Sequence, residues 1–224
     1  MSSKSNASEK LSPITLNIYR ILVLGGFTAF LCGALTIPFY YETQTLWYKV
    51  GIDNTLLRTA QLAGMLALAL LFVQITLSVQ SMFLKMLFGG ARILRWHQRN
   101  GVLIAFLALS HVFLVLAPEG MANLPIGKKH WPEMVGALLF ALVTLTVVGS
   151  YFRQKLNLNY KTWKAIHQPL GYLVIALVTV HVLYVSESFE QNVPKISLLI
   201  AFFGIVLQVV IVKLLVWRSK KRKT

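Results

Sequence analysis

The chain has 224 residues, of which 56% are hydrophobic and 13% are charged, and its formal net charge at pH 7 is +15. This composition excludes an ordinary soluble domain and is typical of an integral membrane protein. The basic residues are dispersed among apolar segments, and spanning helices offer no nucleic-acid-binding fold, so we expect no nucleic-acid partner.

Six apolar segments are each long enough to cross about 30 Å of hydrocarbon as a helix. The first follows a polar stretch and has no small-residue cleavage site after it, so we expect a retained helix and not a signal peptide. The predicted fold is an all-α bundle. Its six membrane spans are residues 15–38, 58–84, 97–118, 133–152, 165–186 and 196–217.

No linker rich in Pro, Gly or Ser divides the chain, so we predict one membrane domain over residues 13–217. A Ser-rich, charged stretch over residues 1–12 is predicted to be disordered, and residues 218–224 form a basic tail that suits a lipid surface. The single cysteine, Cys32, lies in the first span and cannot form an intrachain disulfide.

The distribution of Lys and Arg predicts the orientation. All but five of the 22 fall in the N-terminal region, residues 85–99, residues 153–164 and the C-terminal region. The positive-inside rule therefore places both termini in the cytoplasm. The other five are Lys49, Arg58, Lys128, Lys129 and Lys195.

Two segments share an unusual histidine pattern. His97 is followed by Gly101 and then His111, and His167 is followed at the same spacing by Gly171 and His181. Histidine is costly in an apolar membrane segment and marks a functional site there. Four histidines at matched spacing are therefore hard to explain as packing.

Fourteen residues make nearly four helical turns, so the two histidines of each segment share one helix face and lie roughly 21 Å apart along the axis. The predicted topology makes these third and fifth spans parallel. His97 and His167 then lie together at the cytoplasmic side, and His111 and His181 at the outer side. We call them the inner pair and the outer pair.

Two facing imidazoles are a common means of holding a b-type haem inside a helical bundle. We therefore predict two stacked b-type haems, with the four histidines as axial iron ligands. Gly101 and Gly171 lie on the histidine face, where a missing side chain lets a flat macrocycle approach, although small-residue helix packing explains them equally well. A single zinc site is excluded because ligands about 21 Å apart cannot share one ion.

The two histidine segments and the six spans resemble the ferric-reductase-like transmembrane domain. That family includes ferric reductases, NADPH oxidases and the haem-binding subunit of the periplasmic methionine sulfoxide reductase system. The resemblance implies that the inner and outer pairs ligate two haems and that electrons cross the bilayer between them. It also implies an integral protein of a bacterial inner membrane, the electron-transfer subunit of an oxidoreductase.

Reductases and oxidases of the family continue into a flavin and nicotinamide domain, and this chain has no GxGxxG motif, so we expect no such domain here. The expected donor is a cytoplasmic flavoprotein, such as a flavin reductase, or a membrane quinol. The expected acceptor is a ferric chelate, oxygen or a periplasmic reductase. Lys128, Lys129 and His130 in an outer loop contact either a haem propionate, an acceptor or only solvent.

Two other functions stay open at this point. A cytochrome b subunit of a quinol-oxidising complex also pairs histidines on parallel helices, but it is longer than this chain. A non-redox transporter, in which the histidines bind a substrate or protons, favours helices broken by Gly or Pro, and apart from Pro38 and Pro169 the spans look continuous.

Overall fold

The computed structural model describes residues 12–118, 120 and 124–221, and the regular secondary structure of these residues is helical, with no strand among them. The helices are α1 (Pro13–Tyr40), α2 (Ile52–Val79), α3 (Met82–Phe88), α4 (Gly90–Leu116), α5 (Trp131–Tyr151), α6 (Tyr160–Val185) and α7 (Asn192–Lys221). Short 3-10 turns cover Gln44–Tyr48, Lys128–His130 and Glu187–Phe189. Residues 1–11 of the predicted disordered stretch and residues 222–224 of the basic tail lie outside the described residues.

Six of these helices are long and apolar enough to cross a membrane, all except the short α3. The all-helical, membrane-spanning fold predicted from the composition is therefore confirmed. Helix α7 continues through residues 218–221 of the predicted basic tail.

Local capping explains several helix ends. The side chain of Asn159 accepts a hydrogen bond from the amide of Thr162 at 2.8 Å and starts α6, and Ser81 does the same for α3 through the amide of Leu84 at 3.3 Å. Gly89 joins α3 to α4 with φ +80°, a backbone conformation that favours glycine.

The second span differs from its prediction. The predicted span 58–84 runs past Gln80, where the backbone turns left-handed with φ 47° and α2 ends. The apolar residues that follow belong to α3, a separate short helix. A hydrophobicity profile alone does not reveal the end of α2 at Gln80, because the sequence stays apolar on both sides of it.

α2 is the central helix of the bundle, with a larger buried share than any other candidate span. It packs against α1, α4, α6 and α7, whereas α4 packs chiefly on α2 and α6 packs chiefly on α5. The two histidine-bearing helices thus each have a partner helix of their own, α2 for α4 and α5 for α6. The main core cluster lies between these helices and is built from Leu, Ile, Val, Phe and Met side chains.

Polar contacts tie the outer helices to this centre. The guanidinium of Arg58 on α2 donates to the carbonyl of Pro38 at 2.7 Å and pairs with Glu42. The hydroxyl of Thr76 lies 3.2 Å from Oε1 of Gln208 on α7 and 3.1 Å from the carbonyl oxygen of Phe72 in its own helix, so its single proton is shared between the two acceptors. Hydrogen bonds of this kind between helices fix their relative positions, which apolar contacts alone specify less strictly.

Candidate functional site

The structure brings His97 of α4 and His167 of α6 together. Their ring centroids are 6.2 Å apart and the ring planes are nearly perpendicular, at 80°. Both side chains are half-buried. The inner pair is therefore a pair in space, although its members are far apart in the sequence.

His111 and His181 occupy the same two helices four turns further on and lie close enough to interact electrostatically. Equivalent positions of α4 and α6 are thus adjacent at two levels. The two helices therefore run parallel, as the charge distribution predicted. The orientation of the bundle in a membrane stays a prediction.

Each histidine of the outer pair donates a hydrogen bond to a backbone carbonyl of the neighbouring helix. Nδ1 of His111 lies 2.8 Å from the carbonyl oxygen of Ala60 on α2, and Nδ1 of His181 lies 2.9 Å from that of Pro132 on α5. A carbonyl only accepts, so Nδ1 carries the proton in both rings. Each neutral ring therefore keeps an unprotonated Nε2.

His167 is held by Ser150 and Trp163. Nδ1 of His167 and Nε1 of Trp163 both lie 3.3 Å from Oγ of Ser150, and that hydroxyl donates its only proton to the carbonyl of Thr146 at 2.6 Å. Nδ1 of His167 must therefore donate, which again leaves Nε2 unprotonated. The indole of Trp163 stacks on the imidazole, with centroids 4.7 Å apart and planes 20° apart.

His97 has a different environment. The amide of Gln74 donates to the backbone carbonyl of His97 at 3.0 Å and lies 3.5 Å from Nε2 of its ring. Asn100 donates to Oε1 of Gln74 at 2.8 Å and fixes the orientation of that amide. Nδ1 of His97 is buried with no hydrogen-bond partner, which is an uncommon and costly state for a ring nitrogen.

The two glycines of the repeated pattern have protein neighbours in the structure. A Cβ added to Gly101 would lie 3.1 Å from Nε2 of Gln74, and one added to Gly171 would lie 3.9 Å from Cδ1 of Ile75. Gly101 therefore permits the close approach of Gln74 to α4. The predicted role of both glycines beside a macrocycle stays a prediction.

Five residues around the histidines were not predicted as site residues: Gly64, Gln74, Gly136, Ser150 and Trp163. All lie on α2, α5 or the first turn of α6. The sequence feature that could have identified most of them is a polar residue or a glycine in an apolar helix, at the same level of the membrane as one of the histidines.

The outer loop residues lie near α5. Lys128, Lys129 and His130 form the short turn before that helix, and Nδ1 of His130 is 3.6 Å from Oε1 of Glu133. Among the residues that the structure describes, no three or more His, Cys, Asp or Glu side chains form a metal-binding group. The histidines thus lie as pairs and not as one cluster.

The sequence profile of one protein family, described as "Ferric reductase like transmembrane component", matches residues 63–178. This region covers more than half of the chain and includes His97, His111 and His167. No curated protein and no solved structure matches the chain. The chain belongs to the ferric reductase-like transmembrane family.

Proposed function

We propose that the chain is the haem-binding electron-transfer subunit of a membrane oxidoreductase. Membership of the family supports electron transfer across a membrane in general. Our finer proposal is that His97 and His167 hold one b-type haem and that His111 and His181 hold a second.

The spacing of the inner pair is the observation that carries this proposal. Two imidazoles on opposite sides of one metal ion each bind at about 2 Å, and each ring centre lies about 1 Å behind its nitrogen, so the centroids should be about 6 Å apart. The rings of His97 and His167 are 6.2 Å apart. A direct hydrogen bond or face-to-face stacking would give a shorter separation, whereas an ordinary edge-to-face contact also gives about this one.

The hydrogen bonds of three histidines support the same conclusion. His111, His167 and His181 direct Nδ1–H towards an oxygen and keep Nε2 as a free electron pair. This tautomer is the one that a histidine needs to bind iron through Nε2. The hydrogen bonds to the surrounding protein therefore favour, without a bound metal, the tautomer in which Nε2 is free to bind iron.

A bound haem supplies one-electron redox chemistry. With two histidines bound to it, such an iron would have no open position for a substrate, so the residues of the chain would serve to place, bury and tune the haem. The two pairs are separated by four turns of α4 and α6, roughly 21 Å along the helix axis, so two haems held there would lie at two different depths.

The donor that we propose is a cytoplasmic flavoprotein or a membrane quinol, next to the inner pair. The acceptor is external: a ferric chelate, oxygen or a periplasmic reductase, next to the outer pair. The proposed orientation rests on the Lys and Arg distribution, which favours cytoplasmic termini.

Proteoliposomes test this function directly. The purified protein is reconstituted with ferricyanide trapped inside, and dithionite, which does not cross lipid, is added outside. We expect ferricyanide to be reduced much faster than in protein-free vesicles, and we expect either His97→Ala or His111→Ala to abolish the difference. The control is Cys32→Ala, because that side chain is exposed on α1.

Two results would contradict the proposal. One is haem-loaded wild-type protein that reduces trapped ferricyanide no faster than lipid alone. The other is purified protein with no Soret band, which would favour a non-redox function for the histidines.

A further inference from the structure

Gly64 and Gly136 form matching contacts with the outer pair. A Cβ added to Gly64 would lie 2.9 Å from Nδ1 and 3.0 Å from Cε1 of His111. A Cβ added to Gly136 would lie 2.6 Å from Cε1 and 3.2 Å from Nε2 of His181. Non-bonded carbon atoms pack at about 3.5 to 4 Å, so any side chain here would displace the ring.

Each glycine lies one helical turn after the carbonyl that its histidine uses. His111 donates to Ala60, four residues before Gly64, and His181 donates to Pro132, four residues before Gly136. In an α-helix the side chain at position i+4 lies over the turn that contains the carbonyl of position i. A glycine at i+4 uncovers that carbonyl, whose second lone pair can then accept from the ring.

The same arrangement occurs twice on helices of different local sequence. α2 presents it through Ala60 to Gly64, and α5 presents it through Pro132 to Gly136. The inner pair has no counterpart, because His97 leaves Nδ1 unpartnered and His167 uses the hydroxyl of Ser150. The arrangement is therefore a property of the outer pair and not of helix packing in general.

We propose that Gly64 and Gly136 are positioning residues that set the ring orientation and tautomer of the two outer histidines. This inference rests on the proposed function for its redox consequence. A carbonyl that accepts from Nδ1–H makes Nε2 a more basic ligand, and a more basic ligand favours the ferric state. Loss of either glycine weakens that bond, so the midpoint potential of the outer haem should rise.

The test uses the full-length, haem-loaded protein in nanodiscs with Gly64→Ala, Gly136→Ala and Gly149→Ala. The control Gly149 lies on the same helix as Gly136 but has no atom within 4 Å of an added Cβ. We expect Gly136→Ala to raise the midpoint potential of one haem and change its low-spin electron paramagnetic resonance signal, while the other haem keeps both. Gly64→Ala should act on the same haem with a smaller shift, because its added Cβ overlaps less.

Gly149→Ala should leave both haems unchanged. The proposal is overturned if Gly136→Ala and Gly64→Ala match Gly149→Ala in potential and signal, or if they shift the haem of the inner pair instead. Should Gly136→Ala fail to fold, the milder Gly64→Ala decides between these outcomes.

A second readout separates this proposal from the haem assignment. Nuclear magnetic resonance of protein labelled with ¹⁵N-histidine reports the tautomer of each ring without haem, with signals assigned through His111→Ala and His181→Ala. The positioning role is supported, even if the protein binds no haem, by two results. Both outer histidines carry the proton on Nδ1 in the wild type, and this tautomer is lost from His111 in Gly64→Ala and from His181 in Gly136→Ala. Mixed tautomers in the wild type would overturn it.

Discussion

Ser150 is predicted to stabilise both the α5–α6 contact and the orientation of His167. Its oxygen accepts from Trp163 and from His167, each at 3.3 Å, and its proton goes to the carbonyl of Thr146. Ser150→Ala removes the acceptor and leaves two partly buried donors on α6 without a partner.

The expected cost follows from these contacts. A side-chain hydrogen bond between membrane helices contributes about 0.6 kcal/mol on average and about 1.7 at most. Both bonds are long, so we expect Ser150→Ala to lower the free energy of unfolding by about 1 to 2 kcal/mol in total. The loss of the bond to Thr146 adds little, because it is local to α5 and is exchanged for ordinary helix packing.

Reversible unfolding of the protein in mixed detergent micelles measures this free energy. Ser150→Thr keeps the hydroxyl and should restore most of the stability. Thr146→Val is the matched control, because the hydroxyl of Thr146 donates only to the carbonyl of Val143 in its own helix. The reasoning is refuted if Ser150→Ala unfolds like the wild type, or if Thr146→Val costs as much.

Three further predictions concern other contacts. Arg58→Ala should lower the free energy of unfolding by about 1 to 2 kcal/mol in the same assay, because its partly exposed guanidinium bonds the carbonyl of Pro38; no change would contradict this. A double-mutant cycle of Thr76→Val and Gln208→Leu should give a coupling of about 0.6 kcal/mol, whereas additive effects would show that their bond contributes nothing. Replacing residues 128–129, both lysines, by alanine should slow reduction of an anionic acceptor several-fold at low salt and spare a neutral one. Equal effects on both acceptors would indicate a structural role.

The helical period and the charge distribution together predicted much of the candidate site. Fourteen residues separate the histidines of each segment, and this spacing keeps both on one face of a helix whatever the rest of the fold. The asymmetry of Lys and Arg predicted that the two helices run parallel, and this in turn predicted that His97 pairs with His167 across the bundle. The structure brings these two rings together.

The residues that support the histidines were not predictable in the same way. Gly64 and Gly136 lie on helices that contact His111 and His181 only through tertiary packing. Lipid tails are as apolar as leucine, so hydrophobicity does not show which face of a spanning helix meets protein. In the sequence alone, neither glycine can be distinguished from Gly149, which has no close neighbour in the structure.

The haem content per chain is the most direct test of the central claim. Pyridine haemochromogen assay of the purified protein, referred to the protein concentration, should give two b-type haems per chain, with one remaining in His97→Ala and one in His111→Ala. The reduced-minus-oxidised spectrum of the two variants should differ, because each keeps a different pair. A wild-type protein with no haem, or loss of both haems from either single substitution, would contradict two independent histidine-ligated sites.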